Sequence, residues 1–435
     1  MQRIVKIESV DLNGQGVGHI DGKVTFIPFA LPEELVDISL VKQKKSYNTA
    51  RLDSVIQSSY IRVAPKCEYF GLCGGCLMQH MNPAAQVAIK QRALEDQLKH
   101  IGNVVPERIM APIHGPYWKY RFRARLSVRY VQKKNQVLVG FRERNSRYVA
   151  DMKSCQILPA HVSDLLPLLR VLIHNLSCYN RIPQIEVAVG SKTTVLVLRH
   201  LDELTQDDID KLLEFAKANN ISWWLQPKGP DTVHPLIPEE ENLLFYDVPE
   251  FDLQMQFKPT DFTQVNHIVN RTLVSKAISY LDPKPNDRII DLFCGLGNFT
   301  LPIARLAGQV IGVEGASSLT ERATHIAQEH GLSCKTEFKT LNLFEVNTEW
   351  LRGLGRFDKV LIDPPREGAL EISKALSSLS LDERPERVVY VSCNPATLAR
   401  DAGIMVNVGK YKLKAAGVVN MFPHTGHVES IAIFE

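Results

Sequence analysis

The chain has 435 residues, of which 45% are hydrophobic and 23% charged, and its formal net charge is only +3. That length supports two or three domains, and the composition is ordinary for a globular protein. So small an excess of positive charge excludes a uniformly basic nucleic-acid coat, and any surface for RNA must be local.

The opening stretch MQRIVKIESVDLNGQG has no apolar core of signal-peptide length, and no apolar run reaches membrane-spanning length. A cytoplasmic protein with no membrane partner is expected. Its eight cysteines are then core residues, metal ligands or nucleophiles rather than disulfides. Residues 4 to about 57 read as all-β. Strands are expected at Val5–Val10, Val24–Phe29, Val36–Val41 and Ala50–Ile56, with a turn over Gly14, Gly16 and Gly18. Lys42, Lys44, Lys45 and Arg51 gather near one hairpin, which suits a nucleic-acid backbone or simply a solvated face. The glycine-rich turn and Ala30-Leu31-Pro32-Glu33-Glu34 resemble the TRAM domain, an RNA-binding barrel.

Cys67, Cys73 and Cys76 follow with the spacing C-x5-C-x2-C. Three thiols so close point to a metal site, which needs one more ligand; Cys155 is the best candidate and Cys178 the weaker. Zinc and a [4Fe–4S] cluster both accept four cysteines. Gly71, Gly74 and Gly75 expose backbone amides that can stabilise a charged cluster, which favours iron–sulfur. Residues 83–101 form an amphipathic helix with Val87, Leu94 and Leu98 on one face. Residues 117–148 carry the strongest charge bias. Arg121, Arg123 and Arg125 have period two, so they share a strand face. Lys119, Arg129, Lys133, Lys134, Arg142, Arg144 and Arg147 join them, with Tyr117, Trp118, Tyr120, Phe122, Tyr130 and Phe141 interleaved. Cations beside rings suit phosphates and unstacked bases. Between residues 160 and 260, Gln184–Val189 and Thr193–Leu198 are expected to pair, and Trp223 and Trp224 to be core.

From about residue 262 the pattern becomes βαβα, which predicts a doubly wound sheet. Arg288–Leu292 is a buried strand running into Phe293-Cys294-Gly295-Leu296-Gly297-Asn298 and then a helix. The dinucleotide pattern G-x-G-x-x-G requires a third glycine where this chain has Thr300. With Asp291 near the strand end, the turn suits a cationic, phosphate-free nucleoside, and it resembles the first motif of S-adenosylmethionine-dependent methyltransferases. The second strand ends at Glu314, an offset suited to ribose hydroxyls. Gln264 is placed to reach the cofactor, and Asn342 the adenine edge. A later strand ends in Asp363-Pro364-Pro365-Arg366, and the next in Ser392-Cys393-Asn394-Pro395. These ends should converge on one crevice, flanked by the hairpin that holds Glu429.

DPPR argues against N-methylation, which many enzymes perform with [D/N]PP[Y/F]. A cysteine at a strand end facing the crevice suits another chemistry. The C5 carbon of uracil is a poor nucleophile; a thiolate adding at C6 makes an enolate that activates C5, and a base must later remove the C5 proton. Cys393 suits the first role and Glu429 the second. DLFCGLGNFT, DPPR, VSCNP and MFPHTGHVES resemble the motifs of the RNA uracil-C5 methyltransferase family. The amino-terminal barrel and the cysteines place the resemblance in its TRAM-bearing, iron–sulfur branch, which makes 5-methyluridine in 23S ribosomal RNA.

That resemblance implies an α/β fold, with a Rossmann-like S-adenosylmethionine methyltransferase domain, an OB-like β-barrel (TRAM) and an α+β iron–sulfur domain. The implied division is 1–58, 59–260 and 261–435, with helix 83–101 packed on the catalytic domain. It implies Gln264, Phe293, Asn298, Glu314, Asn342 and Asp363 around S-adenosylmethionine, and Cys393 and Glu429 as nucleophile and base. It implies Cys67, Cys73, Cys76 and Cys155 as ligands of a structural [4Fe–4S] cluster. The partner is folded 23S ribosomal RNA with its target uridine flipped out of the stack, met by a monomer. Two rivals are the same chemistry on transfer RNA or another uridine, and a non-enzymatic iron–sulfur RNA-binding protein.

Overall fold

The computed structural model describes residues 3–240 and 244–435. By packing, the chain divides into two units: Met1–Ala93 with Phe141–Ala150 and Phe422–His427, and Leu94–Gly140 with Asp151–Met421 and Val428–Glu435.

In the first unit six strands (Arg3–Lys6, Ser9–Val10, Gln15–Ile20, Lys23–Pro28, Leu35–Gln43 and Asn48–Gln57) form one sheet, in the order first, fifth, sixth, fourth, third, second. Alternate residues face inward, and Val5, Ile7, Ile20, Ile27, Val36, Ile38 and Ala50 make the core. Of the three glycines expected in the first turn, Gly14 turns the chain with φ +70°, but Gly16 and Gly18 lie inside a strand. A Cβ at Gly16 would come within 2.9 Å of Ile7 Cγ2, and one at Gly18 within 2.7 Å of the Lys6 carbonyl oxygen. Those glycines permit close strand approach rather than a bend. Below the sheet, Glu34 is fully buried. Burial opposes its charge, but Arg62 and the amides of Leu31 and Ser59 outweigh that and hold its carboxyl below the usual range.

Helix Pro83–His100 forms as the periodicity requires, burying Val87, Leu94 and Leu98. The second unit holds a six-stranded sheet in the order His234–Pro235, Ile221–Gln226, Thr194–Arg199, Gln184–Val189, Arg123–Val131, Gln136–Gly140. Here Gln184–Val189 and Thr194–Arg199 pair antiparallel, and Trp223 and Trp224 are buried core.

Besides a two-stranded sheet of Phe245–Val248 and Leu253–Gln256, the unit has a sheet of eight strands, in the order Thr336–Thr340, Gln309–Glu314, Arg288–Leu292, Lys359–Ile362, Arg387–Ser392, Glu429–Phe434, Leu413–Val419, Arg108–Ile109. The first five are parallel, and Ile289, Ile290, Val310, Ile311, Val360, Leu361, Val388 and Val389 are fully buried among them. Glu429–Phe434 runs antiparallel to both neighbours. Strand order reverses around Arg288–Leu292, so a crevice opens at the carboxyl ends of that strand and Lys359–Ile362. The two-residue edge strand Arg108–Ile109 is too short to leave a pattern in the sequence.

Candidate active site

The strand Arg288–Leu292 leads into a turn with Phe293, Gly295 and Gly297 at φ values of 65°, 53° and 84°. The amides of Phe293 and Cys294 both donate to the Val313 carbonyl, at 2.9 and 3.0 Å, and so stitch the turn to the next strand. A Cβ added at Gly295 would meet nothing within 4 Å, which leaves open space over the main chain where a ligand can rest. Glu314 ends that neighbouring strand. Its Oε2 accepts from the Gly295 amide at 3.1 Å, and its Oε1 accepts from Gly315 and Ala316. The amide of Leu341 donates to the Glu314 carbonyl at 2.9 Å, and this brings the exposed Asn342 to the same edge. Phe344 lies beside it, its ring centroid 5.6 Å from that of Phe293.

Gln264 is half-buried just ahead of Asn266, whose side chain caps helix His267–Leu281. Asn298 is also bonded within the protein. Its amide exchanges hydrogen bonds with Asn270 at 2.9 and 3.1 Å and accepts from the Tyr246 hydroxyl at 3.0 Å. The side chain fastens the glycine turn to a helix, and sequence spacing gives no sign of this pairing.

Two acids stand near the carboxyl ends of the paired strands Arg288–Leu292 and Lys359–Ile362. Asp291 is fully buried and accepts from the Thr300 hydroxyl at 2.5 Å. Burial pushes its carboxyl up to about 8, and Asp363 and Glu314 add to the rise. Asp363 is pushed up by burial to about 7. A cationic ligand above these acids would restore their charge and gain from it. The open glycine turn, the ribose-height carboxylate of Glu314 and these acids therefore fit a sulfonium nucleoside.

Cys393 and Glu429 come together through strand register. Ser392 pairs with Ser430 at the end of the antiparallel ladder, so Cys393, at the bend just beyond, and Glu429 flank that last pair. The thiol is half-buried. Burial, then Glu429 and Asp363, push it up to about 12, while Arg366 and a backbone amide act in the opposite direction. Glu429 is buried, 5% exposed, and occupies the first position of its strand.

Within the strand Arg123–Val131, Ala124, Leu126 and Val128 are buried and Arg123, Arg125 and Arg129 share the other face. Arg121 precedes the strand. Arg123 donates to the carbonyls of Pro259 and Asp261 and, at 3.3 Å, to the Thr263 hydroxyl, so it clamps the stretch leading to Gln264. Arg125 pairs with Glu186 at 3.0 Å, and Lys134 with Asp151 at 2.7 Å. In the first unit, the Arg144 guanidinium covers the Phe29 ring at 4.7 Å. Arg129, Lys133, Lys42, Lys44 and Lys45 remain exposed.

Cys67, Cys73 and Cys76 belong to the first unit and Cys155 to the second. Burial pushes the Cys73 thiol up; the Gly75 amide donates to its sulfur at 3.4 Å and opposes this, while Cys67 adds to the rise. Among the described residues no group of three or more His, Cys, Asp or Glu side chains is arranged to hold a metal ion. The amide-fed thiols are of the chemical type that binds iron or zinc. No helix among the described residues is long and apolar enough to cross a membrane.

Known proteins match this arrangement. Residues 83–435 match the family model described as tRNA (Uracil-5-)-methyltransferase, and residues 3–52 match the TRAM domain. A relative from Bordetella avium named 23S rRNA (uracil(1939)-C(5))-methyltransferase RlmD is 59% identical over 435 residues, covering 100% of this chain and 91% of its own length. A relative of the same name from Cupriavidus metallidurans is 55% identical over 441 residues, covering 99% of this chain and 94% of its own. Among solved structures, the Pyrococcus abyssi tRNA (uracil-54, C5)-methyltransferase in complex with S-adenosyl-L-homocysteine matches with a TM-score of 0.73 at 22% identity, over 100% of both chains.

Proposed function

The chain belongs to the uracil-C5 RNA methyltransferase family, and on that premise we propose that it converts a uridine of 23S ribosomal RNA to 5-methyluridine with S-adenosylmethionine as methyl donor. The observation that supports the mechanism is the final ladder pair Ser392–Ser430, which Cys393 and Glu429 flank at the carboxyl end of the sheet. Bound S-adenosylmethionine would supply an electrophilic methyl group; Gln264, Phe293, Asn298, Glu314, Asn342 and Asp363 are the residues proposed to hold it.

The rest is the work of the protein. Burial and two carboxylates push the Cys393 thiol up, so its proton must leave to solvent before the sulfur can act as a thiolate. Arg366 opposes that and favours the thiolate as it attacks C6 of a flipped uracil. The negative charge then passes into the ring and makes C5 the nucleophile. After methylation Glu429 takes the C5 proton, the ring electrons return, and the C6–sulfur bond breaks.

The relatives' names point to uridine 1939 of 23S ribosomal RNA as the target. The TRAM sheet with its exposed Lys42, Lys44 and Lys45 supports an RNA substrate, and the cytoplasm is where such a substrate is met. Mapping 5-methyluridine in cells lacking the gene should show its loss from one position of 23S ribosomal RNA, with transfer RNA unchanged. Loss from transfer RNA instead would overturn the substrate assignment.

The cysteine set supports a further part of the reading, a [4Fe–4S] cluster on Cys67, Cys73, Cys76 and Cys155 with a structural role. Protein purified without oxygen should contain about four iron and four sulfide per chain and absorb broadly in the visible. Cys73→Ser should lose both. Iron-free protein, or tightly bound zinc, would sink this assignment.

A further inference from the structure

Residues 363–369 carry both Asp363 and Arg366, and they are fastened to the helix Pro395–Gly403 that begins just after Cys393. The carbonyl of Arg366 accepts from Asn394 Nδ2 at 3.0 Å and the Thr397 hydroxyl at 3.3 Å, and that of Glu367 accepts from Arg400 Nη2 at 2.9 Å. The Ala369 amide donates to Asp401 Oδ2 at 2.8 Å and to the Tyr390 hydroxyl oxygen at 3.0 Å. Asp401 itself is 0% exposed. It also accepts from the Tyr390 hydroxyl at 2.7 Å and from Arg400 Nε at 2.8 Å.

A carboxylate buried so deeply is costly unless donors surround it, and here they do. The packing is equally tight. Gly368 has φ +78°, and a Cβ there would lie 2.7 Å from Arg400 Nη2 and 2.8 Å from Asp401 Oδ2. Loop and helix are therefore one solid piece, joined through Asp401.

We propose that Asp401 is a positioning residue, which acts through Ala369 and Arg400 to hold the 363–369 loop, with Asp363 and Arg366, against the helix that follows Cys393. The charges of Asp363 and Arg366 on this loop, and of Glu429 on the antiparallel strand, all act on the sulfur. The two carboxylates disfavour the thiolate and the guanidinium favours it. Any slackening of the loop thus changes how easily the thiol loses its proton. This rests on the reading of Cys393 as nucleophile.

The test is Asp401→Asn in the full-length protein. The amide keeps the side chain's size and can still accept from Ala369 and Tyr390, but its NH2 then confronts Arg400 Nε–H, donor against donor. Two quantities are read: the rate of alkylation of Cys393 by iodoacetamide at one fixed pH, followed by mass on the peptide containing that residue, and kcat for methyl transfer. The alkylation rate should differ from wild type by at least about threefold, the effect of about half a pH unit in the thiol. The value of kcat should fall about 10- to 100-fold, as for a displaced reacting group. Should Asp401→Asn fail to fold, Arg400→Met at the half-exposed end of the network removes the Glu367 contact and should move both readouts in the same direction by less. A folded variant with wild-type alkylation rate and kcat overturns the positioning role. Cys393→Ala separates the two readings: if it is active the nucleophile assignment falls, and if it is inactive while Asp401→Asn changes nothing, only the positioning role falls.

Discussion

Cys393→Ala should lower methyl transfer by about four orders of magnitude or more, because without the sulfur C5 of uracil is never activated. Binding of the methyl donor should persist, since the glycine turn, Glu314 and Asn342 lie on other strands and do not depend on the thiol. Folding should also persist. The side chain is only half-buried, and the neighbouring hydrogen bonds run through Ser392 and Asn394, whose amide donates to the Ser392 hydroxyl oxygen at 3.1 Å. A binding titration with S-adenosyl-L-homocysteine, a thermal melt and tritium transfer to a 23S ribosomal RNA fragment together check this. Substantial turnover by a folded Cys393→Ala protein would eliminate covalent activation as the mechanism.

Glu429→Gln should behave quite differently. Attack and methyl transfer can still occur, but the C5 proton has no acceptor, so the enzyme should stall with RNA bonded to its own sulfur. The expected result is a protein–RNA species that survives denaturing electrophoresis, with turnover down about 10²- to 10⁴-fold. Removing this carboxylate also removes one of the charges that push the thiol up, so adduct formation should not slow. Glutamine fits the same 5%-exposed place, opposite Val419 on the neighbouring strand. Rapid turnover, or the absence of any stable adduct, would reassign the base.

Much of the catalytic sheet is legible because parallel strands buried on both faces must be nearly continuous apolar runs. Ile289-Ile290, Val310-Ile311 and Val388-Val389 announce themselves, and the chemistry-bearing residues follow directly at their ends. What stays hidden is whatever depends on distant partners. Asn298 reads as a ligand contact, and nothing in the sequence shows that its amide is also bonded to Asn270 and Tyr246. Arg123 reads as one rung of an RNA-facing strand, but it clamps Asp261 and Pro259, more than a hundred residues on. Asp401 carries no motif at all, and only the folded loop shows what it grips. Gly16 and Gly18 mislead for a related reason, since a glycine needed for close packing looks the same in a sequence as one needed for a bend. Likewise, nothing local marks Phe141–Ala150 and Phe422–His427 as packing with the amino-terminal strands.

The reversed strand Glu429–Phe434 has a consequence for how such proteins diversify. Because it runs against Arg387–Ser392, it delivers its first residue, not its last, to the rim where its neighbours deliver theirs. The gap between the sulfur and the carboxylate is therefore set by backbone rungs, like the jaws of a caliper, and not by any loop. Loops and appended segments can lengthen, shrink or change their taste in RNA while the jaws keep their opening. Slipping the strand by a single residue would turn the carboxylate to the far side of the sheet, so that ladder has no room for an inserted residue.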